Sequence, residues 1–245
     1  MHTLFAILLA VQVGRADIAG GTPDLVVTAV GLNADGNFIF TVANHGGAIT
    51  KPFKVNASLD GYVRQTLQFQ ATKEIGVMGR PLPTRLPFAN GEERHFTLTD
   101  VKVDMCSSPH ALKVVADSGG EIAERDETNN ERSWSGPTPC PDLTVKSISK
   151  HWQNGMHTEF NAEIVILNQG TGTARNFVVA AGAFSNFGIP GGEPLNYERL
   201  GPGETLTIHS GNAYVPDHID VHVVVNVGNL IKESNLNNNV MDKRL

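Results

Sequence analysis

One short stretch occurs twice in this chain, and that repetition limits what the chain can fold into. Residues Ala116–Asn130 and Val225–Asn239 align without gaps. Gly119, Ile122, Glu124, Asn129 and Asn130 in the first copy match Gly228, Ile231, Glu233, Asn238 and Asn239 in the second. An alternating apolar run precedes each copy. In Ile219–Val225, the residues Ile219, Val221, Val223 and Val225 fall on one face, which is the pattern of a strand covered on one side. The Gly and Asx residues that follow supply positive φ and side chains that bond nearby backbone. Ile122 and Ile231 are expected to return to a core, and the Asn pairs to satisfy loop backbone that no ladder reaches. The stretch reads as the turn joining the last two strands of a β-sandwich. Its duplication predicts two such sandwiches in tandem.

The rest of the chain repeats in the same order. Pro23-Asp-Leu25 and Pro141-Asp-Leu143 each lead into an alternating strand, Leu25–Val30 and Leu143–Ile148. Second strands are predicted at Phe38–Ala43 and Phe160–Leu167, each ending in a polar turn, Asn44-His-Gly-Gly and Asn168-Gln-Gly-Thr-Gly. Third strands follow at Pro52–Leu59 and Arg175–Ala183. A Gly-Glu signal then precedes strands at Glu93–Thr99 and Glu204–Ser210. An internal repeat of this kind fixes domain count before any detail of topology. The expected fold is all-β, with two antiparallel immunoglobulin- or fibronectin-III-like sandwiches of about seven strands each. Their expected limits are residues 22–135 and 141–245, with 136–140 as a proline-rich, stiff linker.

The two copies diverge in the middle. The first carries a run at Tyr62–Gln70 that alternates as an additional strand, then a loop, Ala71–Gly91, with Arg80, Pro81, Pro83, Arg85 and Pro87. The second has Ser185–Gly203 there, with Phe187, Pro190, Pro194 and Tyr197. Loops of this length in compact domains are usually functional or mobile, so these two are the first candidates for a recognition surface.

Residues 1–16 read as a secretory signal: Leu4–Val11 is an apolar core too short to span a bilayer, and small residues follow at Gly14 and Ala16. No Lys or Arg precedes that core. An even pair of cysteines, Cys106 and Cys140, in an exported chain suggests one disulfide. The expected product is a protein without a membrane span that works in the periplasm, at the cell surface or in the medium. The formal charge of −6 comes with 19 scattered basic residues, which argues against a nucleic-acid surface.

Three constellations could carry chemistry. Asp117, Glu121, Glu124, Asp126 and Glu127 place five carboxylates close together, and calcium takes six to eight oxygen ligands. The spacing is not that of an EF-hand, and the second copy has Asn226, Asn235 and Leu236 in place of Asp117, Asp126 and Glu127. Calcium is the one cofactor this pattern suggests. His218, Asp220 and His222 would project from one face of a strand, which permits a zinc or copper site. The first copy has Pro109, Ala111 and Lys113 at those places, so the repeat does not require it. His151 and His157 flank a predicted turn and nothing more. No nucleophile elbow, phosphate-binding glycine loop, zincin helix or dinucleotide fingerprint is present. A hydrolase with dispersed carboxylates stays open as a minor alternative.

The opening Pro-Asp-Leu, the Asn-x-Gly turn after the second strand, the later Gly-Glu and the closing Ile-x-Glu-x4-Asn-Asn together resemble CARDB, the cell-adhesion-related domain found in bacteria. The resemblance covers both repeats, Pro23 to about Trp134 and Pro141 to about Met241. It implies seven-stranded sandwiches in exported, often surface-associated bacterial proteins, without an enzymatic activity. The expectation that follows is a binding or structural surface module meeting a protein or glycan partner through its loops and sheet edges. A metal-dependent binding protein is the alternative.

Overall fold

A computed structural model of the chain describes residues 21–70, 84–185, 194–214 and 218–245. The segment read as a secretory signal lies outside these residues. So do much of the Ala71–Gly91 loop, including Arg80, Pro81 and Pro83, and much of the Ser185–Gly203 loop, including Phe187 and Pro190. The described chain forms two compact units, one ending at Thr138 and the next beginning at Pro139. Each is an antiparallel β-sandwich of a three-stranded and a four-stranded sheet.

In the first unit the strands are β1 (Leu25–Leu32), β2 (Asn37–Asn44), β3 (Phe53–Leu59), β4 (Tyr62–Phe69), β5 (Glu93–Lys102), β6 (His110–Val115) and β7 (Glu131–Gly136). The second unit has β8 (Leu143–Trp152), β9 (Glu159–Asn168), β10 (Ala174–Ser185), β11 (Leu195–Leu200), β12 (Thr205–Tyr214), β13 (Ile219–Val225) and β14 (Val240–Arg244). The sheet orders are β1-β2-β5 and β4-β3-β6-β7 in the first unit, β8-β9-β12 and β11-β10-β13-β14 in the second. Strand for strand, the topologies coincide. Even the irregularity coincides: the β1–β2 ladder slips between Val27 and Ala29, and the β8–β9 ladder slips between Val145 and Ser147, the same place in each copy.

One expectation changes here. The run Tyr62–Phe69 is not additional to the first unit, because β11 occupies the same edge of the second unit's four-stranded sheet. Leu195–Leu200 escapes a pattern reading because its side chains are mostly exposed and only Leu200 is buried. Its place is secured by pairing with β10 and by Tyr197, whose ring stacks on Phe177 at 5.6 Å. The loop expected across Ser185–Gly203 is therefore part strand.

Strand alternation builds both cores. Along β9, Phe160, Ala162, Ile164 and Ile166 turn inward and are buried, while Glu159, Asn161, Glu163 and Val165 face the other way. The first core is aromatic, with Phe40 stacked on Phe96 at 4.8 Å and Phe53 on Phe69 at 4.3 Å. The second is mostly aliphatic around Phe160 and Phe177. Full burial of each such Phe is worth about 1.5–3 kcal/mol. Arg94 enters the first core's rim and is supported there: its guanidinium lies 4.5 Å from the Phe88 ring centroid and donates to Glu92 and to the carbonyls of Arg85 and Pro87.

Cys106 and Cys140 form a disulfide. It closes a loop that contains β6, the first closing turn and β7. In the chain-entropy account a loop of this size contributes about 3–4 kcal/mol.

Candidate functional site

The repeated motifs assemble into one structure in each unit, a clasp between the entrance of the first strand and the turn before the last. In the first unit the Leu25 N–H, buried with its residue, donates to Glu124 Oε2. The other oxygen of Glu124 accepts from Asn130 Nδ2 at 2.9 Å. Asp24, only 2% exposed, accepts from Asn129 Nδ2 at 2.8 Å and from the Arg125 guanidinium. In the second unit the Leu143 N–H donates to Glu233 Oε2, Asn239 Nδ2 to Glu233 Oε1 at 2.7 Å, and Asn238 Nδ2 to Asp142 at 2.7 Å. Backbone bonds repeat too, from Arg125 N to Pro23 O and from Ser234 N to Pro141 O. Pro-Asp-Leu and Ile-x-Glu-x4-Asn-Asn are thus two halves of one device. Ile122 is buried and Ile231 packs against the second core, as their positions required.

The Asn-x-Gly turn completes it. Asn44 and Asn168, both fully buried, donate through Nδ2 to two carbonyls each: Gly47 and Phe88 for the first, Gly172 and Leu200 for the second. Their Oδ1 atoms accept from the N–H groups of Asp24 and Gly46, and of Asp142 and Gly170. A side chain at Gly46 would meet Thr22 O at 2.2 Å, and one at Gly170 would meet Cys140 O at 2.4 Å, so both turns require glycine.

The acidic group of the first closing turn is spent largely on N–H donors. Asp117 accepts from the backbone of Glu121 and Ile122, Glu127 from that of Glu124, and Asp126 from the N–H and hydroxyl of Thr128. Glu121 lies 3.7 Å from Lys54 Nζ. Asp126 is held below its ordinary value by the Thr128 hydroxyl and amide. Burial pushes Asp117 up. Burial pushes Glu124 up as well, to about 7, with the charges of Glu127 and Asp117 adding to it and the Leu25 N–H opposing it. Among the described residues, no three of these carboxylates bring oxygens within 4.8 Å of one another.

His218, Asp220 and His222 lie where the strand pattern puts them, at the start of β13, but they are not drawn to one point. Asp220 is clamped by Arg244 through Nε at 2.6 Å and Nη2 at 2.7 Å, and that contact holds its carboxyl below the usual range. His218 Nε2 is 4.0 Å from Asp220, while His222 Nδ1 pairs with Asp242 at 2.6 Å. Arg244 and Asp242 come from β14, which the spacing in β13 alone cannot reveal.

Two further arrangements come from strands far apart in sequence. His110 Nδ1 bonds Asp60 Oδ2 at 2.7 Å, and its Nε2 lies 3.4 Å from Ser107 Oγ. That outline suggests a nucleophilic triad, but Ser107 Oγ donates its short bond, 2.7 Å, to the Asp104 carbonyl, and Asp60 Oδ1 accepts from the Ala111 N–H. The Ala111 N–H and His110 hold Asp60 below its ordinary value. The group ties the β3–β4 turn to the start of β6 and presents no activated hydroxyl. The other arrangement is His151, Glu163 and His209, whose ligand atoms all lie within 4.8 Å of one another on the outer face of β8-β9-β12.

The CARDB family model matches residues 22–134 and again 140–243. No match was found among curated proteins. Solved structures similar to the chain include the exo-chitosanase CsxA of Amycolatopsis orientalis, 13% identical over 88% of this chain and 26% of that one, with a TM-score of 0.26. The chain thus spans about a quarter of that enzyme's length. The class 5 fimbriae chaperone CfaA is 11% identical over 90% of this chain and 98% of that one, with a TM-score of 0.23. Likeness at this level carries no functional argument.

Proposed function

Because the chain belongs to the CARDB family, an adhesion-related and non-catalytic domain family that is extracellular or surface-associated, we propose that it is an exported tandem surface module that binds a protein or glycan partner. The observation that carries this reading is that the Pro-Asp-Leu, Asn-x-Gly and Ile-x-Glu-x4-Asn-Asn motifs are absorbed by the clasp and the Asn-Gly turns, which leaves the loops and sheet edges as the variable surface. Scaffold residues repeat between the two units and the mid-domain loops do not, as expected when recognition sits on loops held by a rigid frame. The disulfide suits an oxidising compartment. No helix of the described residues is long and apolar enough to cross a membrane. Partner contact through Ala71–Gly91, Ser185–Gly203 and the outer strands β4 and β11 uses surfaces that peptides and extended chains commonly engage.

The test is direct binding of the mature protein to a glycan array and to isolated cell-envelope proteins. Parallel samples carry a short turn in place of Ala71–Gly91. Loss of the signal on loop replacement, with both unfolding transitions retained, supports the reading. Binding that ignores the loops removes their part in it. Turnover of chromogenic glycosides or esters would replace it with a hydrolase.

A further inference from the structure

We propose that the outer face of the second unit's three-stranded sheet is a binding site for a divalent transition metal, held by His151, Glu163 and His209. Glu163 stands on the central strand β9. His209 is its direct cross-strand partner on β12, and His151 sits on β8 one diagonal step away, opposite Asn161. Glu163 Oε2 is 3.6 Å from His151 Nδ1 and 3.6 Å from His209 Nε2, and the two imidazole centroids are 4.6 Å apart. Ligand atoms about 2.0–2.2 Å from a tetrahedral zinc stand roughly 3.4 Å from one another. Two of the three separations are close to that spacing, and the third is no more than 4.8 Å. Two imidazoles and one carboxylate are the donor set that zinc, copper and nickel accept, and three protein ligands leave a position open to solvent or to a partner's side chain.

Comparison with the sister unit separates this group from a feature of the shared scaffold. The registers of β1-β2-β5 and β8-β9-β12 superimpose, and they place Asn33, Ile39 and Thr97 where the second unit has His151, Glu163 and His209. The scaffold folds with none of the three, and there Asn33 accepts the N–H groups of Asp35 and Asn37 to shape a turn.

The experiment is isothermal titration of the metal-free full chain with zinc, then copper and nickel, with the unfolding of each unit followed in parallel. The control variants carry the first unit's own residues, His151→Asn and His209→Thr, alongside Glu163→Gln. The expected result is one zinc per chain, an upward shift of the second unit's unfolding transition, and at least about a tenfold loss of affinity in each variant, no smaller than loss of a supporting outer partner causes. Cobalt in place of zinc should give the visible absorption of a four-coordinate site in the parent and not in His209→Thr. Metal-free variants that melt like the parent establish that the loss is one of ligands. Zinc affinity unchanged by His151→Asn and His209→Thr overturns the assignment, as does an absence of binding by all three metals.

Discussion

The two clasps share a backbone and differ in their electrostatics, and the difference shows which residues the scaffold needs. Glu124 and Glu233 each accept the first-strand N–H and an Asn amide. Around Glu124 stand Asp117 and Glu127, and the enclosed carboxyl is pushed up to about 7. Around Glu233 the matching residues are Asn226 and Leu236, and Asn226 donates to Glu233 Oε1 at 2.7 Å. One carboxylate sits among anions, the other among amides. The clasp therefore requires Glu, Asp and the Asn pair; the additional acids of the first unit are dispensable to it.

The largest expected effect makes the two units separable. Reduction of the disulfide should lower the first unit's stability by about 3–4 kcal/mol. Calorimetry then assigns the lower transition, and a change confined to the second unit would contradict the placement of the closed loop. Next comes removal of the acceptors. Glu233→Ala strands a buried N–H and two amides and should cost about 3 kcal/mol, by denaturant unfolding. Glu124→Ala strands fewer donors and also relieves repulsion from Glu127 and Asp117, so about 1–2 kcal/mol is expected. Equal losses would dissolve the comparison.

A third test uses pH. The folded value of Glu124 lies above its ordinary 4.5, so the native first unit holds this proton more tightly than the unfolded chain does. Its contribution is complete below 4.5 and is lost as pH rises through about 7. The first unit's melting temperature should fall over that window, and Glu127→Leu should flatten the fall. The smallest effect is that of Asp117→Asn. Asp117 has φ of 45° and Asn226 has φ of 53°, a left-handed conformation that Asn accepts readily. The substitution should be neutral or stabilise by about 0.5 kcal/mol, and a loss above about 1 kcal/mol would mean that both Asp117 oxygens are needed for the Glu121 and Ile122 amides.

The fold was legible in the sequence because strand alternation and turn chemistry are local and here occur twice. Pro-Asp-Leu and Ile-x-Glu-x4-Asn-Asn were legible as motifs, but their union was not, since Leu25 and Glu124 meet only after the sheets form. β11 was hidden because an exposed edge strand such as Leu195–Leu200 need not alternate. His218, Asp220 and His222 drew notice by their spacing, while the group of His151, Glu163 and His209 did not. Residues on three separate strands become neighbours through ladder register, and register depends on bulges such as the one at Val145–Ser147. Spacing finds ligands along one strand and misses those across three.

The clasp also decides how each sandwich meets tension. Pro23, Asp24 and Leu25 stand where β1 begins, and all three are bonded to the segment just before the last strand. A pull on the chain ahead of β1 therefore loads the Glu124 and Asp24 bonds together with the start of the β1–β2 ladder. The same holds for Glu233 and Asp142 ahead of β8. Under load the carboxylates of Asp24, Glu124, Asp142 and Glu233 therefore share the strain with the sheet ladders.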